Sequence, residues 1–348
     1  MLTYIKAFSY ALLVAYALTP LVRMLAIKAG ALDQPVARSM HTEPKPYLGG
    51  IAIYLAFAIA SLAFIGWQLP LVRGVVVGGG LILIFGAIDD MLRLSAKVKL
   101  LGQIVAALVL VLGYGVRIDF LTNPFGGFIY LQQWAVPLSV FWIVAVVNVV
   151  NLADGLDGLA AGISSIASLT LLFVGLTQHS PLSILLMTAA LAGAAVGFLP
   201  HNFNPAKIFM GDAGAMFLGY ALAAVSVQGT LKSATGLALA IPVLALGLPI
   251  FDTAFAIVRR AANGQKFYEP DRGHLHHRLM QLGLSHRDTV LVMYAISAWL
   301  GVSAVAISEL SLTPALILMA VVMVIMIAVA RRIGVLDIHP KRHQHVSH

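Results

Sequence analysis

The stretch LILIFGAIDDMLRLSAKVKL, residues 81–100, decides the class of fold, because a long apolar run ends abruptly in two adjacent aspartates. The apolar run belongs to a segment, 71–88, that approaches the ~20 residues needed to cross a bilayer. Asp89 and Asp90 stand at its edge, where neighbouring carboxylates repel each other unless they are hydrated, protonated or bound to a cation. The stretch therefore predicts a membrane-spanning helix with a polar end that attracts cations.

The rest of the chain repeats this apolar pattern. Of its 348 residues 60% are hydrophobic and 10% are charged, whereas a soluble domain carries about 25% charged residues. Candidate spans lie at 2–24, 48–66, 71–88, 99–116, 135–152, 158–177, 182–199, 213–229, 235–257, 290–308 and 312–330. Because lipid offers the backbone no hydrogen-bond partners, such segments must be helical. We predict an all-α polytopic membrane protein of about 11 transmembrane helices, one integral domain over 1–348 with a basic, histidine-containing tail at 331–348.

The distribution of charge predicts the orientation. The chain has 22 Lys and Arg, 14 Asp and Glu and a net charge of +8. With the N-terminus outside, the basic residues fall on the cytoplasmic side, apart from Lys6, Arg73, Arg117 and Lys232. This agrees with the positive-inside rule, so we expect the N-terminus outside and the C-terminus in the cytoplasm. The basic charge then indicates topology, and no nucleic-acid partner is expected.

The acidic residues favour an enzyme at one membrane face. In the same orientation they lie on the cytoplasmic side, apart from Asp119 and Glu309. A transporter is instead expected to carry ionisable groups near the middle of the membrane. We expect the chemistry at the cytoplasmic ends of the helices.

The densest polar motif is NVVNLADGLDGLAAG, residues 148–162. Asn148, Asn151, Asp154 and Asp157 recur every three residues, but a straight helix would turn the first and the last to opposite sides. Gly155 and Gly158 favour a break there, which would let the four side chains converge on a base, a sugar or a metal. GxxxG spacings here and at Gly193–Gly197 predict close helix packing.

Three further motifs supply charged or aromatic groups. In HNFNPAKIFMGDAGAMFLG, 201–219, Asp212 begins a predicted helix, where it is either a helix cap or part of a phosphate or metal site; Phe209 can stack on a base or fill the core. In DRGHLHHRLMQLGLSHRD, 271–288, three histidines and Arg278 favour phosphate or sugar over Zn²⁺. In RSMHTEPKPYLGG, 38–50, Lys45 is a basic candidate.

Together, in this order along the chain, the five motifs resemble the polyprenyl-phosphate N-acetylhexosamine-1-phosphate transferases. The closest resemblance is to the bacterial undecaprenyl-phosphate N-acetylglucosamine-1-phosphate transferases. It implies transfer of N-acetylglucosamine 1-phosphate from UDP-N-acetylglucosamine to undecaprenyl phosphate, with UMP released. This would be the first membrane step of a cell-envelope polysaccharide such as lipopolysaccharide or teichoic acid, in the bacterial inner membrane.

Other activities stay open from the sequence. The donor can be another UDP-N-acetylhexosamine or UDP-MurNAc-pentapeptide, and the reaction can run in one step or through an aspartate nucleophile. From another class, an anionic-solute transporter or a lipid flippase is the alternative. The resemblance implies Mg²⁺ as cofactor, with Mn²⁺ as a substitute, and UDP-sugar, polyprenyl phosphate and membrane lipid as partners, and it allows a homodimer.

The resemblance also implies roles for individual residues. The catalytic candidates are Asp89, Asp90, Asp154 and Asp157. The candidate Mg²⁺ ligands are Asp212, Asp89 and Asp90. The candidate nucleotide-sugar contacts are Lys45, Asn148, Asn151, Asp154, Asp157, Phe209, His274, His276, His277 and Arg278. Lys97 and Lys99 are the candidates for the lipid phosphate, although either can equally be a basic anchor that fixes topology.

Overall fold

The computed structural model describes residues 2–34, 43–123, 127–229, 237–263 and 273–335. Within these ranges the helices are α1 Leu2–Lys28, α2 Gly50–Phe64, α3 Pro70–Leu92, α4 Ala96–Leu108, α5 Ala135–Ala153, α6 Leu159–Thr177, α7 Leu182–Asn202, α8 Gly211–Gly229, α9 Ala240–Ala245, α10 Gly247–Ala262, α11 Leu275–Gln281, α12 His286–Glu309 and α13 Leu312–Ile333. A π-helical turn, Val109–Gly113, extends α4, and a 3-10 turn, Gln132–Trp134, precedes α5. Most of the predicted tail, from residue 336 onward, lies outside the described residues.

The prediction of an all-α polytopic membrane protein is confirmed. Among the described residues, 8 helices are long and apolar enough to cross a membrane, and α2 is a shorter apolar helix. The predicted ninth span is divided: α9 ends at Ala245 and α10 begins at Gly247. Pro242 and Pro249 flank the break, and proline cannot donate the backbone hydrogen bond that a continuous helix needs.

Two small antiparallel ribbons, which the sequence reading did not anticipate, complete the fold. β1, Leu32–Asp33, pairs with β2, Lys45–Pro46, and Leu32 lies opposite Pro46. β3, Phe120–Thr122, pairs with β4, Phe128–Tyr130. The first ribbon joins α1 to α2 on the side where the polar motifs meet.

Helix α8 lies at the centre of the bundle. Every residue from 213 to 227 is buried, because α2, α3, α5, α6 and α7 all pack against this helix. Phe217 packs against Phe57 of α2, and Tyr220 is buried against Gly78 of α3. A helix that is apolar on all sides is expected in such a position.

Glycines bring the helices together, as the GxxxG spacings predicted. Gly193 and Gly197 of α7 lie directly against the backbone carbonyls of Phe8 and Leu12 in α1. In α6, Gly162 lies against the ring of Tyr294. In lipid, where no hydrophobic effect drives helices together, close backbone packing of this kind is a main source of association.

The alternating directions of the helices gather the polar motifs at one end of the bundle. The C-terminal ends of α3, α5 and α7 meet the N-terminal ends of α4, α6 and α8 there. The aspartates predicted from separate motifs are consequently neighbours in space.

The contact between α1 and α7 can be tested with Gly193→Ala. A methyl group at this position would overlap the carbonyl oxygen of Phe8, so we expect the free energy of unfolding to fall by about 1–3 kcal/mol. Thermal unfolding in detergent measures the change. Gly113→Ala is the control, because a methyl group there meets no atom within 4 Å. Equal stability of both variants would contradict close packing.

Candidate active site

A lysine lies between two aspartates at the centre of the site. Lys99, in the first turn of α4, forms ion pairs with Asp89 of α3 and with Asp212 of α8. Its Nζ is 2.5 Å from Asp212 Oδ2. The side chain of Asp89 is buried, and its Oδ1 also accepts a hydrogen bond from the Leu94 amide at 2.7 Å. Because both oxygens of Asp89 are engaged, this carboxylate is held in a fixed orientation.

Asp90 has a different partner from Asp89. Its two oxygens accept hydrogen bonds from the backbone amides of Asp212, at 2.8 Å, and Ala213, at 3.2 Å. Asp90 therefore caps the N-terminus of α8, where a negative charge is stabilised by the helix dipole. Gly211 makes the approach possible, since any side chain there would overlap the Asp90 carboxylate. The helix cap, one of the two roles open to Asp212 from the sequence, is supplied here by Asp90 of the neighbouring helix.

The predicted break in the polar motif lies between α5 and α6. α5 ends at Ala153, α6 begins at Leu159, and Gly158 adopts a φ of 79° that favours glycine. Asp157 in this turn accepts hydrogen bonds through Oδ2 from the Asn204 side chain at 3.1 Å and the Ala206 amide at 3.0 Å. The turn at 154–158 is thus fastened to the segment that leads into α8.

Asn202 makes a second connection between these two segments. Its Oδ1 accepts a hydrogen bond from the Gly158 amide at 3.1 Å, and its Nδ2 donates to the Ile208 carbonyl at 3.0 Å. The other side of this segment is held by the first loop, where the Phe209 amide donates to the Pro46 carbonyl at 2.8 Å. The motifs predicted to share a site are therefore joined by hydrogen bonds.

These elements enclose a cavity of about 500 Å³, a size typical of small-molecule sites. Its lining residues are Leu32, Asp33, Gln34, Tyr47, Asp90, Met91, Arg93, Asp154, Gly155, Leu156, Asp157, Asn202, Phe209, Met210, Gly211, Asp212 and His286. The wall combines an aromatic ring, several carboxylates and an arginine, so it suits a ligand with both a flat ring and charged groups.

Asp154 is the carboxylate most affected by its surroundings. Burial, reinforced by the nearby carboxylates of Asp212 and Asp90, raises the pKa of Asp154 to about 8. Among the described residues, no side chain or amide donates a hydrogen bond to it. A bound cation or a hydrogen-bond donor on a ligand would relieve this crowding of negative charge.

Helix α12 supports the turn at 154–158 through two residues that the sequence reading did not select. The Asp157 amide donates to His286 Nε2 at 3.0 Å, and the Tyr294 hydroxyl donates to the Gly158 carbonyl at 2.5 Å. His286 also lines the cavity. It lies within the histidine-rich stretch 271–288, where a single histidine has no pattern that marks it as a site residue.

The histidines predicted as a cationic substrate site are largely buried. The exposed fractions of His274 and His276 are 8% and 4%. Burial, together with the neighbouring His277, lowers the pKa of His276 to about 4, so this ring is neutral at neutral pH. The neutral ring of His276 therefore does not provide a positive charge for a phosphate.

Several predicted residues do not line the cavity. Asn148 is paired with Gln103, whose Oε1 lies 2.6 Å from Asn148 Nδ2. Lys97 is exposed. The other predicted site residues outside the lining are Asp89, Lys99, Lys45, Asn151, His274, His276, His277 and Arg278.

The sequence did not point to six polar or charged residues of the lining, namely Asp33, Gln34, Tyr47, Arg93, Asn202 and His286. Each lies within a few residues of a quoted motif. Proximity to a motif was the available signal, but it does not tell which neighbouring side chain faces the cavity.

The site contains a pair of carboxylates that suits a divalent cation, although the described residues supply no complete set of protein ligands. Among the described residues, no cluster of three His, Cys, Asp or Glu side chains is assembled to hold a metal. Asp89 and Asp212 are, however, brought together on Lys99. Mg²⁺ usually takes one or two carboxylates and completes its shell with water and substrate phosphate. The donor set fits that mode of binding and not a closed protein cage.

The role of Asp157 can be tested with Asp157→Ala. Removal of the carboxylate leaves the Asn204 side chain and the Ala206 amide without their acceptor, so residues 203–210 should open more often. Hydrogen exchange followed by mass spectrometry should show at least about tenfold faster exchange there, for a loss of about 1.4 kcal/mol. Asp288→Ala, at the exposed start of α12, is the control. Unchanged exchange at 203–210 would contradict the structural role.

The raised pKa of Asp154 predicts a pH dependence of stability. Between the pKa of an unfolded aspartate, about 3.9, and about 8, the folded protein holds a proton that the unfolded chain releases. The stability this confers is complete below the lower value and is lost as pH rises through the higher one. Without divalent cations, the unfolding temperature should fall from about pH 6 to about pH 9, and Asp154→Asn should flatten the slope. An identical slope would count against the assignment.

Comparison with known proteins places the chain in a family. The model of Glycosyl transferase family 4 matches residues 72–230. The chain is 40% identical over 338 residues to a probable undecaprenyl-phosphate N-acetylglucosaminyl 1-phosphate transferase of Bacillus subtilis (strain 168), covering 97% of this chain and 94% of that protein. It is 39% identical to a decaprenyl-phosphate N-acetylglucosaminephosphotransferase of Mycolicibacterium smegmatis, covering 84% and 79%.

A more distant relative, at 26% identity over 324 residues, is an undecaprenyl-phosphate alpha-N-acetylglucosaminyl 1-phosphate transferase of Yersinia pestis, with 92% of this chain and 87% of that protein covered. The similarity thus extends over nearly the whole chain and includes every helix that contributes to the cavity. The chain belongs to glycosyl transferase family 4, among the polyprenyl-phosphate N-acetylhexosamine-1-phosphate transferases.

Proposed function

We propose that the protein transfers N-acetylglucosamine 1-phosphate from UDP-N-acetylglucosamine to undecaprenyl phosphate and releases UMP. The observation that carries this proposal is the group Asp89, Lys99 and Asp212 beside a cavity large enough for a nucleotide. The names of the relatives support the sugar and the polyprenyl acceptor. The site lies at the cytoplasmic ends of about 11 spans, with the N-terminus outside, in the bacterial inner membrane.

The reaction needs little activation of the acceptor. A phosphate monoester has a second pKa near 6, so at neutral pH its oxygen is already an anionic nucleophile. This oxygen attacks the β-phosphorus of the donor, a new phosphorus–oxygen bond forms, and the bond to the UMP oxygen breaks with its electron pair leaving on UMP. No proton must be removed from the acceptor. The main barrier is repulsion between the two phosphate groups.

Asp89 consequently has no general-base role in this proposal. Its oxygens are engaged by Lys99 and by the Leu94 amide, so it holds the ammonium group in place. A fixed positive charge close to the reacting phosphates offsets their repulsion without reorganisation during the reaction. Lys99 is assigned to the phosphates of the reactants, and the more exposed Lys97 to the approach of the acceptor.

Mg²⁺, the proposed cofactor, would be held by Asp212 together with Asp89, and when bound it neutralises charge on the donor pyrophosphate. Asp90 has no direct contact with the cation in this proposal. It caps α8 and thereby positions Asp212. Direct attack by the acceptor leaves no role for an aspartate nucleophile.

The donor nucleotide is assigned to the opposite wall of the cavity. Phe209 lines the cavity and is assigned to stack against uracil, and Leu156 and Asn202 line the same cavity. Asp157 shapes this wall by holding the segment at 204–206. Asp154, which lines the same cavity and lies near enough to Asp212 to feel its charge, is assigned to the ribose or the pyrophosphate.

One assay tests the reaction. Purified protein in detergent receives undecaprenyl phosphate, Mg²⁺ and UDP-N-acetylglucosamine, and UMP release is measured. Release that depends on the acceptor supports direct transfer, whereas UMP release without acceptor would favour an aspartate intermediate. A folded protein that is inactive with every UDP-N-acetylhexosamine and with UDP-MurNAc-pentapeptide would overturn the proposed function.

The central ion pairs give the sharpest mutational test. Asp89→Asn and Asp212→Asn should each lower turnover at least about tenfold, since each removes a charge that holds Lys99 or the cation. Glu309→Gln, at the opposite end of α12, should keep normal turnover. Rates close to the parent protein in both aspartate variants would remove this group from the mechanism.

A further inference from the structure

Asp252 is a buried carboxylate that the proposed mechanism does not use. It lies in α10, and 8% of its surface is exposed. Its Oδ2 lies 2.9 Å from His274 Nδ1, and its Oδ1 accepts a hydrogen bond from the Leu275 amide at 2.8 Å. One carboxylate thus fixes both the ring of His274 and the start of α11. A carboxylate buried in the protein is costly unless it is paired and hydrogen-bonded, so this arrangement of partners is specific.

The histidine ring extends this contact toward the cavity. The rings of His274 and His276 are nearly parallel, at 9°, with centroids 6.0 Å apart. His276 in turn lies directly against Gly155, where an added methyl group would come within 2.8 Å of its Nε2. Gly155 is part of the cavity wall. Contacts therefore run from Asp252 through two histidine rings to the turn that carries Asp154 and Asp157.

The chemistry of the pair determines how it acts. A carboxylate that accepts from Nδ1 keeps the proton of a neutral imidazole on Nδ1 and fixes the rotation of the ring. Asparagine at this position has one carbonyl oxygen for two donors, the Leu275 amide and Nδ1 of His274. When that oxygen keeps the backbone amide, the NH2 group faces Nδ1, and the ring must carry its proton on Nε2 or turn away. The shape of the side chain is kept, so this substitution alters the histidine much more than the packing.

We propose that Asp252 is a positioning residue for the donor-binding wall of the cavity, acting through His274 and His276 on the turn at 154–158. This inference rests on the proposed function, because it assigns the wall to the UDP-sugar. It assigns Asp252 no contact with the substrate. Its loss should loosen α11 and the turn, and so weaken donor binding more than the chemical step.

The first test separates KM from kcat. Asp252→Asn should raise the KM for UDP-N-acetylglucosamine at least about fivefold and change kcat less than about twofold, the pattern of lost ground-state binding. The matched control is Asp119→Asn, the same chemical change at an ion pair with Arg117 beside the β3–β4 ribbon; it should leave both constants unchanged. An unchanged KM in Asp252→Asn, with an active parent protein, would overturn the inference.

A double-mutant cycle tests whether Asp252 acts through the histidine. His274→Ala should raise the KM by a similar factor, and Asp252→Asn should add nothing further in that background, because residues that act through one contact are not additive. Independent effects that multiply would show that Asp252 works by another route and would overturn the proposal. If Asp252→Asn does not fold, His274→Ala alone still decides: an unchanged KM contradicts the link.

A spectroscopic readout is independent of activity. In protein labelled with ¹⁵N-histidine, the His274 signal, assigned through its loss in His274→Ala, should report a proton on Nδ1. It should move to Nε2 in Asp252→Asn, while Asp119→Asn leaves it in place. If the parent protein is inactive with all donors, the proposed function fails and this spectrum still tests the Asp252–His274 pair. A His274 ring protonated on Nε2 in the parent protein contradicts the pair itself.

Discussion

The site depends on the contact between the end of α3 and the start of α8. Asp90 accepts hydrogen bonds from the first amides of α8, and these bonds favour one register between the two helices. Glycines allow the approach, since Gly86 lies directly against the backbone of Ala213 and Gly211 against the Asp90 carboxylate. A cap supplied by another helix satisfies backbone donors that lipid and core cannot. It also brings Asp212 to the place where Asp89 and Lys99 meet.

The adjacent residues Asp89 and Asp90 therefore have different roles. Successive residues on a helix point about 100° apart, so Asp89 faces α4 and its lysine while Asp90 faces α8. The sequence predicts the pair as one functional unit because both are acidic and stand at a membrane edge. Which of them meets the lysine depends on the packing of α3 against α4 and α8, a long-range contact that no local pattern encodes. The fold class, by contrast, follows from hydropathy alone, because lipid permits few alternatives to helices.

The histidine stretch shows the same dependence on long-range contacts. Three histidines and an arginine in five positions suggest a cationic surface when the environment is water. The structure buries His274 and His276 behind the cavity wall, and burial favours the neutral ring. The partner of the buried His274 is Asp252, which is 22 residues away in sequence and belongs to none of the motifs. A partner for a buried histidine is found only when helices α10 and α11 are brought together.

The number of carboxylates in the cavity wall therefore does not indicate how many of them can bind a ligand. Asp90 and Asp157 line the cavity, yet their oxygens hold α8 and the segment at 204–206. Carboxylate oxygens used in this way already accept hydrogen bonds, which leaves fewer lone pairs for a ligand. Asp154 and Asp212 differ, since the first meets no donor among the described residues and the second shares Lys99 with Asp89. Burial raises the pKa of Asp154 to about 8, and a bound cation would favour its charged form. A cation and the phosphates it accompanies are therefore expected beside Asp154 and Asp212, with the aromatic wall left for the base.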